Sequence, residues 1–102
     1  MKIKITKNSI ELWHDRYHVE LPRPKSTAEY INWLKVSFFS LELNNSNKNE
    51  PIRKNGYVIG RTPTYYIGPI TGGVNSVFYF NTKNMHRFIE LLERENNKDL
   101  LA

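Results

Sequence analysis

Residues 1–22 read MKIKITKNSIELWHDRYHVELP, and the alternation in this stretch decides the fold class. From Lys2 to Thr6 charged or polar residues alternate with Ile3 and Ile5. A period of two is the mark of a half-buried strand, because successive side chains leave the pleated backbone on opposite faces. Lys7-Asn8-Ser9 makes a turn, and Ile10 and Leu12 carry the alternation on to Trp13. His14-Asp15-Arg16 makes a second turn. Beyond it Tyr17, Val19 and Leu21 point one way and His18 and Glu20 the other. The stretch predicts a three-stranded antiparallel meander with one wet face. Pro22 and Pro24 stop it, since proline has no N–H to give to the ladder.

A helix over 26–43 follows. Ser26 or Thr27 caps it, and Glu29 stands three residues after Ser26, the spacing of a capping box. Ile31, Leu34, Phe38 and Leu41, flanked by Tyr30, recur at steps of three to four and form the core stripe. Val36, Phe39 and Leu43 make a second, shorter stripe on nearly the opposite side, although a helix on the surface of a monomer needs only one. We expect this second stripe to be a contact face or the seam between two halves of the chain. The polar run Asn44 to Asn49 opens a linker that extends over 44–56.

After Pro51 the order recurs. Tyr57-Val58-Ile59 suggests a strand, Gly60 to Thr64 a break, and Tyr65-Tyr66-Ile67 a second strand. Gly68-Pro69 and Gly72-Gly73 bracket a turn before a third strand, Val77 to Phe80. Asn81 or Thr82 caps a helix over 82–95 with Met85, Phe88, Ile89, Leu91 and Leu92 on one face, and Asn96 to Ala102 is expected to fray. A shift of 58 residues lays Leu12 on Ile70, Val19 on Val77, Ile31 on Ile89 and Leu34 on Leu92. The expected fold is therefore α+β in a single domain over 1–102. It has two similar strand-strand-strand-helix halves, about 2–43 and 57–95, with antiparallel strands and each helix packed on one side of its own strands.

A chain of 102 residues supports one core, burying roughly two-thirds of its unfolded surface. There is no cysteine, which excludes disulfides, thiolate metal sites and cysteine nucleophiles. Met1 to Lys7 has no hydrophobic run and does not read as a signal peptide. No stretch approaches the roughly 20 apolar residues that span a bilayer, so an intracellular protein with no membrane partner is expected. The formal charge of +5 favours an acidic protein or a nucleic acid as partner.

Chemistry-bearing patterns are few. His14, Asp15, His18 and Glu20 come nearest to a metal or acid–base cluster, but the turn at Asp15-Arg16 separates the histidines, so no metal is expected there. His86 falls on the polar side of its helix and reads as solvated. The glycines do not have the spacing of a phosphate-binding loop, and no serine stands in a nucleophile elbow. The expectation is a protein without catalytic residues or cofactor.

The unusual stretch is 62–81, twenty residues without a charge in a chain that is 25% charged. It holds Tyr65, Tyr66, Phe78, Tyr79 and Phe80. Tyrosine suits contact surfaces, pairing a large apolar area with a polar tip. We expect Tyr65, Tyr66, Tyr79 and Phe39 to wall a groove between the two halves that takes a peptide or protein surface, with Arg61, Arg53 and Lys54 favouring an acidic partner. The alternative is single-stranded nucleic acid, with Tyr66 or Tyr79 stacking on bases and the same basic residues on phosphates. In length, absence of cysteine, richness in asparagine and lysine, and the echo of Ile3–Leu43 in Tyr57–Glu95, the chain resembles the small orphan proteins of viruses, those of the Acidianus filamentous viruses among them. That resemblance implies a binding protein of the host cell cytoplasm with no catalytic residues to carry over.

Overall fold

The N-terminal alternation becomes the meander it predicts. Strand β1 (Lys2–Ile5) pairs antiparallel with β2 (Ser9–His14), and β2 with β3 (Tyr17–Pro22), in a computed structural model that describes residues 1–43, 50–62, 64–69 and 77–101. The register sets Ile3, Leu12 and Val19 side by side, and Ile5, Ile10 and Leu21 beside them; all face inward. The outward rows are Lys2–Trp13–His18 and Lys4–Glu11–Glu20. Thr6 closes the first turn, its Oγ1 accepting the Ser9 amide at 3.0 Å. Asp15 makes the second with φ 52°, a left-handed conformation that Asp tolerates better than most residues.

Helix α1 (Thr27–Leu43) begins where the capping signal places it. The Ser26 hydroxyl accepts the Glu29 amide at 3.2 Å, satisfying one of the orphan donors of the first turn. Tyr30, Ile31, Leu34, Phe38 and Leu41 are buried, and each side chain of this size contributes about 1.5–3 kcal/mol by leaving water.

The second sheet has four antiparallel strands in the order β4 (Ile52–Lys54), β5 (Tyr57–Thr62), β6 (Thr64–Pro69) and β7 (Phe78–Phe80). Two expectations are corrected here. The segment 44–56 is not all linker, because 52–54 is a strand that folds back on β5 through Asn55 and Gly56, at φ 51° and 87°. Positive φ at both residues gives the tight turn that matches strand twist. Nor is there a break at Gly60, since β5 runs through it to Thr62; the Tyr66 ring lies over Gly60 and occupies the space a side chain would need. The expected linker residues 44–49 and the expected turn between Pro69 and Gly72 lie outside the described residues.

Helix α2 (Thr82–Leu101) is capped by Asn81, whose Oδ1 accepts the Asn84 amide at 2.8 Å. It does not end near Glu95 but continues to Leu101, and Arg23 reaches across to Asp99 at 2.6 Å to hold its last turns.

The protein is thus α+β, with two strand-rich halves each followed by a helix, three strands in the first and four in the second. The helices do not simply cover their own strands. Helix α1 packs on β5 of the second sheet, while α2 packs on β1 of the first as well as on β6 and β7. The sheets meet where β3 approaches β6, and the Tyr57 hydroxyl donates to the Pro22 carbonyl at 2.7 Å. The inward rows of both sheets and the buried faces of both helices form one continuous core.

Candidate functional site

Among the described residues, three of the five large apolar side chains left exposed lie on α1. Val36, Phe39 and Leu43 are 61%, 64% and 71% exposed, the second stripe of the sequence pattern. It is a surface, not a buried seam. Phe39 also borders a groove of about 450 Å³ between the two helices, which α1 lines with Lys35, Phe38, Phe39 and Glu42, and α2 with Thr82, His86 and Ile89. The pairings along it show that the helices run antiparallel: Lys35 meets Glu93, Phe38 meets His86, and Glu42 meets Thr82.

Each end of the groove is polar and its middle is apolar. The Lys35 ammonium pairs with Glu93 at one end. At mid-length the Phe38 ring stands edge-on to the His86 ring, with centroids 4.8 Å apart. At the other end the Glu42 carboxylate accepts hydrogen bonds from the Tyr65 hydroxyl and from Thr82 Oγ1. The Tyr65 hydrogen bond, more than any other influence, holds the Glu42 carboxyl below its ordinary range. Burial pushes the Tyr65 hydroxyl up to about 12, and Glu42 adds to the shift. The Arg61 guanidinium sits 5.1 Å from the centroid of the Tyr65 ring, a cation over an aromatic face.

The five contact residues expected from sequence fall in two places. Phe39 is on the groove rim. Tyr65 is buried behind Glu42, with Arg61 against it, and reaches the groove only through its hydroxyl. Tyr66 and Tyr79 pair across β6 and β7, with ring centroids 6.5 Å apart, on the face turned away from the helices. Strand alternation dictates this division, since Tyr65 and Phe80 face the core and their neighbours cannot. A single groove walled by all four aromatics is therefore not formed. Of the basic residues, Arg53 shares the outer face with Tyr66 and Tyr79, whereas Lys54 and Arg61 register with inward Tyr57 and Tyr65. Glu42 and His86 are groove residues that the sequence reading did not place there. Their role depends on how α1 docks on α2, which no local pattern encodes.

His14 and His18 lie on opposite faces of the first sheet, as strand alternation requires. His14 turns toward α2, its Nε2 3.4 Å from Asn84 Nδ2. His18 stacks on Trp13, with centroids 4.6 Å apart and the planes 3° from parallel. Glu11, His18 and Glu20 bring ligand atoms within 4.8 Å of one another on the outer face, where His18 Nε2 lies 3.8 Å from the Glu11 carboxylate. Among the described residues no helix is long and apolar enough to cross a membrane. Comparison with protein-family models, with curated proteins and with solved structures gives no match, so the geometry alone carries the reading of the site.

Proposed function

We propose that the chain is a non-enzymatic binding module, and that its contact surface is the exposed face of α1 with the adjoining α1–α2 groove. The observation that carries this is the trio Val36, Phe39 and Leu43, three large apolar side chains each more than 60% exposed at helical spacing on one face. Contiguous exposed apolar surface opposes solubility and marks contact sites, while isolated exposed residues do not. The groove beside it offers an apolar middle and charged ends. That is the form of site in which a peptide or helix from a protein partner lays apolar anchors and finds polar groups at its termini. The basic balance of the chain favours an acidic partner and faster association with it, an effect that salt weakens. A viral protein directed at a host protein fits this reading.

The alternative, single-stranded nucleic acid on the outer face of the second sheet, has the exposed Tyr79 beside Tyr66 in its favour. Among the described residues of the sheet it has one basic residue, Arg53, on that face. Capture of partners from a cell lysate, with and without nuclease, separates the two readings. The paired variant Val36→Ala/Phe39→Ala is expected to lose the captured protein, and Tyr66→Ala/Tyr79→Ala to keep it, with nuclease changing neither result. Retention by the α1 variant would exclude this surface, and loss after nuclease would favour nucleic acid.

A further inference from the structure

A second cleft, of about 460 Å³, lies at the opposite end of α1 from Leu43, and none of the surface described above includes it. It opens between the start of α1 and the β4–β5 hairpin. A volume in the range of roughly 300–1,000 Å³ suits a small organic ligand, and the lining states what kind. Lys25 and Lys54 stand at its wall and have no carboxylate partner among the described residues. Arg23, also at the wall, is held by Asp99 and the Thr6 carbonyl. The positive end of the α1 dipole adds to the two ammonium groups. Facing them are aromatic rings: Tyr30 lies 5.7 Å from half-buried Trp33 and 4.8 Å from Tyr57, centroid to centroid. Tyr30 and Tyr57 are buried, so half-buried Trp33 is the ring that a ligand in the cleft meets.

Cations alone would suit any anion. The cleft also holds the Glu29 carboxylate, which repels a bare anion, and the neutral polar side chains of Ser26 and Asn55. A ligand that uses all of these carries a negative group at one end, a flat ring at the other, and hydroxyl or amino donors between them. We infer that the cleft binds a nucleotide. Its phosphate sits at Lys25, Lys54 and the α1 N-terminus, and its base lies against Trp33. Glu29 accepts from the sugar hydroxyls or an exocyclic amine. The nucleotide is either free or the phosphorylated end of a single strand; both present the same chemistry.

The test uses the full chain with Trp13→Phe, so that Trp33 is the sole tryptophan, titrated with adenosine monophosphate while fluorescence is followed. Saturable quenching is expected, with adenosine binding about tenfold or more weakly for want of the charged contacts. Lys25→Ala/Lys54→Ala should lose a similar factor and flatten the salt dependence. A 5′-phosphorylated tetranucleotide that binds more tightly than the monophosphate assigns the site to a strand end, and equal binding assigns it to the free nucleotide. No saturation at millimolar monophosphate, adenosine binding as well as its phosphate, or undiminished binding by the double lysine variant would each overturn the assignment.

Discussion

Tyr65 and Tyr66 are adjacent in sequence and serve opposite sides of one sheet. Their alternation was legible, because neighbours in a strand cannot share a face. Which of the two would be inward was not, since that depends on the register with Phe80 and Tyr79 across the ladder. The inward residue does more than pack: its hydroxyl reaches Glu42 at the end of α1 and ties helix to sheet. The pH consequence follows from the directions of the two shifts. Glu42 has its folded pKa depressed, so its contribution is present above the ordinary glutamate range and is lost as pH falls through the folded value. Tyr65 is raised to about 12, so its contribution is complete below the ordinary tyrosine value of about 10 and is lost as pH climbs toward 12. Tyr65→Phe should cost about 1–2 kcal/mol near neutrality, the worth of a hydrogen bond to a charged group at a partly exposed site. It should also reduce the loss of stability at both the acid and the alkaline end. Denaturant unfolding across pH measures this. Parallel pH profiles for variant and parent would show that the hydrogen bond contributes nothing.

Helices α1 and α2 were readable as elements because apolar residues at steps of three and four have no other use, and because Ser26 and Asn81 mark their starts. Strand β4 was not, since Ile52-Arg53-Lys54 offers one apolar residue inside a polar segment. The signal that could have found it is Asn55-Gly56, the dipeptide that supplies two positive φ values to a two-residue hairpin. Replacing Gly56 with Ala places a Cβ at φ 87° and should lower stability by about 1 kcal/mol or more, although the space around it is open. A neutral result in equilibrium unfolding would mean that the turn can relax to another type. For the candidate site, the second stripe of α1 was visible in sequence, but the groove beside it was not, because it exists only once α2 lies alongside. Phe38 and Phe39 divide the two roles between neighbouring positions. Phe38→Ala removes a 6% exposed ring and should cost about 3–5 kcal/mol, whereas Phe39→Ala removes a 64% exposed one and should stay within about 0.5 kcal/mol. The same pair should invert in partner capture, which Phe39→Ala loses while remaining folded. If Phe39→Ala proves as destabilising as Phe38→Ala, the ring is structural and the contact surface lies elsewhere.

At the scale of the whole molecule, the recurrence of strands and helix in the two halves suggests two units, each closed on itself, and the packing contradicts that picture. Helix α2 packs on β1 and also sets Phe88 against Phe78 and Phe80 of its own sheet, and α1 lies on β5. Neither sheet has its inner face covered by its own helix alone. A radius of gyration of 13.0 Å is what about 100 residues give in one compact body, and the core is correspondingly undivided. Local patterns could not show this, because the 3.6-residue stripe of a helix states that a face is buried and not which sheet buries it. The consequence is cooperative folding. Cutting the chain between residues 50 and 51 would strip α2 from β1 and α1 from β5, leaving each fragment with exposed inner-face residues such as Ile10, Leu34, Ile59 and Phe88, all at or near zero exposure in the whole chain. A fragment of about 50 residues already buries too little surface to be secure, and here it would lose a covering helix as well. Residues 1–50 and 51–102, expressed separately, are therefore expected to be unfolded alone and to regain dispersed amide signals only when mixed. The intact chain should show a single unfolding transition, coincident by circular dichroism and by the fluorescence of Trp13 and Trp33, both of which report on the first half. A folded 1–50 fragment, or fluorescence and circular dichroism midpoints that separate in denaturant, would mean that the halves are independent units and that the packing across them is secondary.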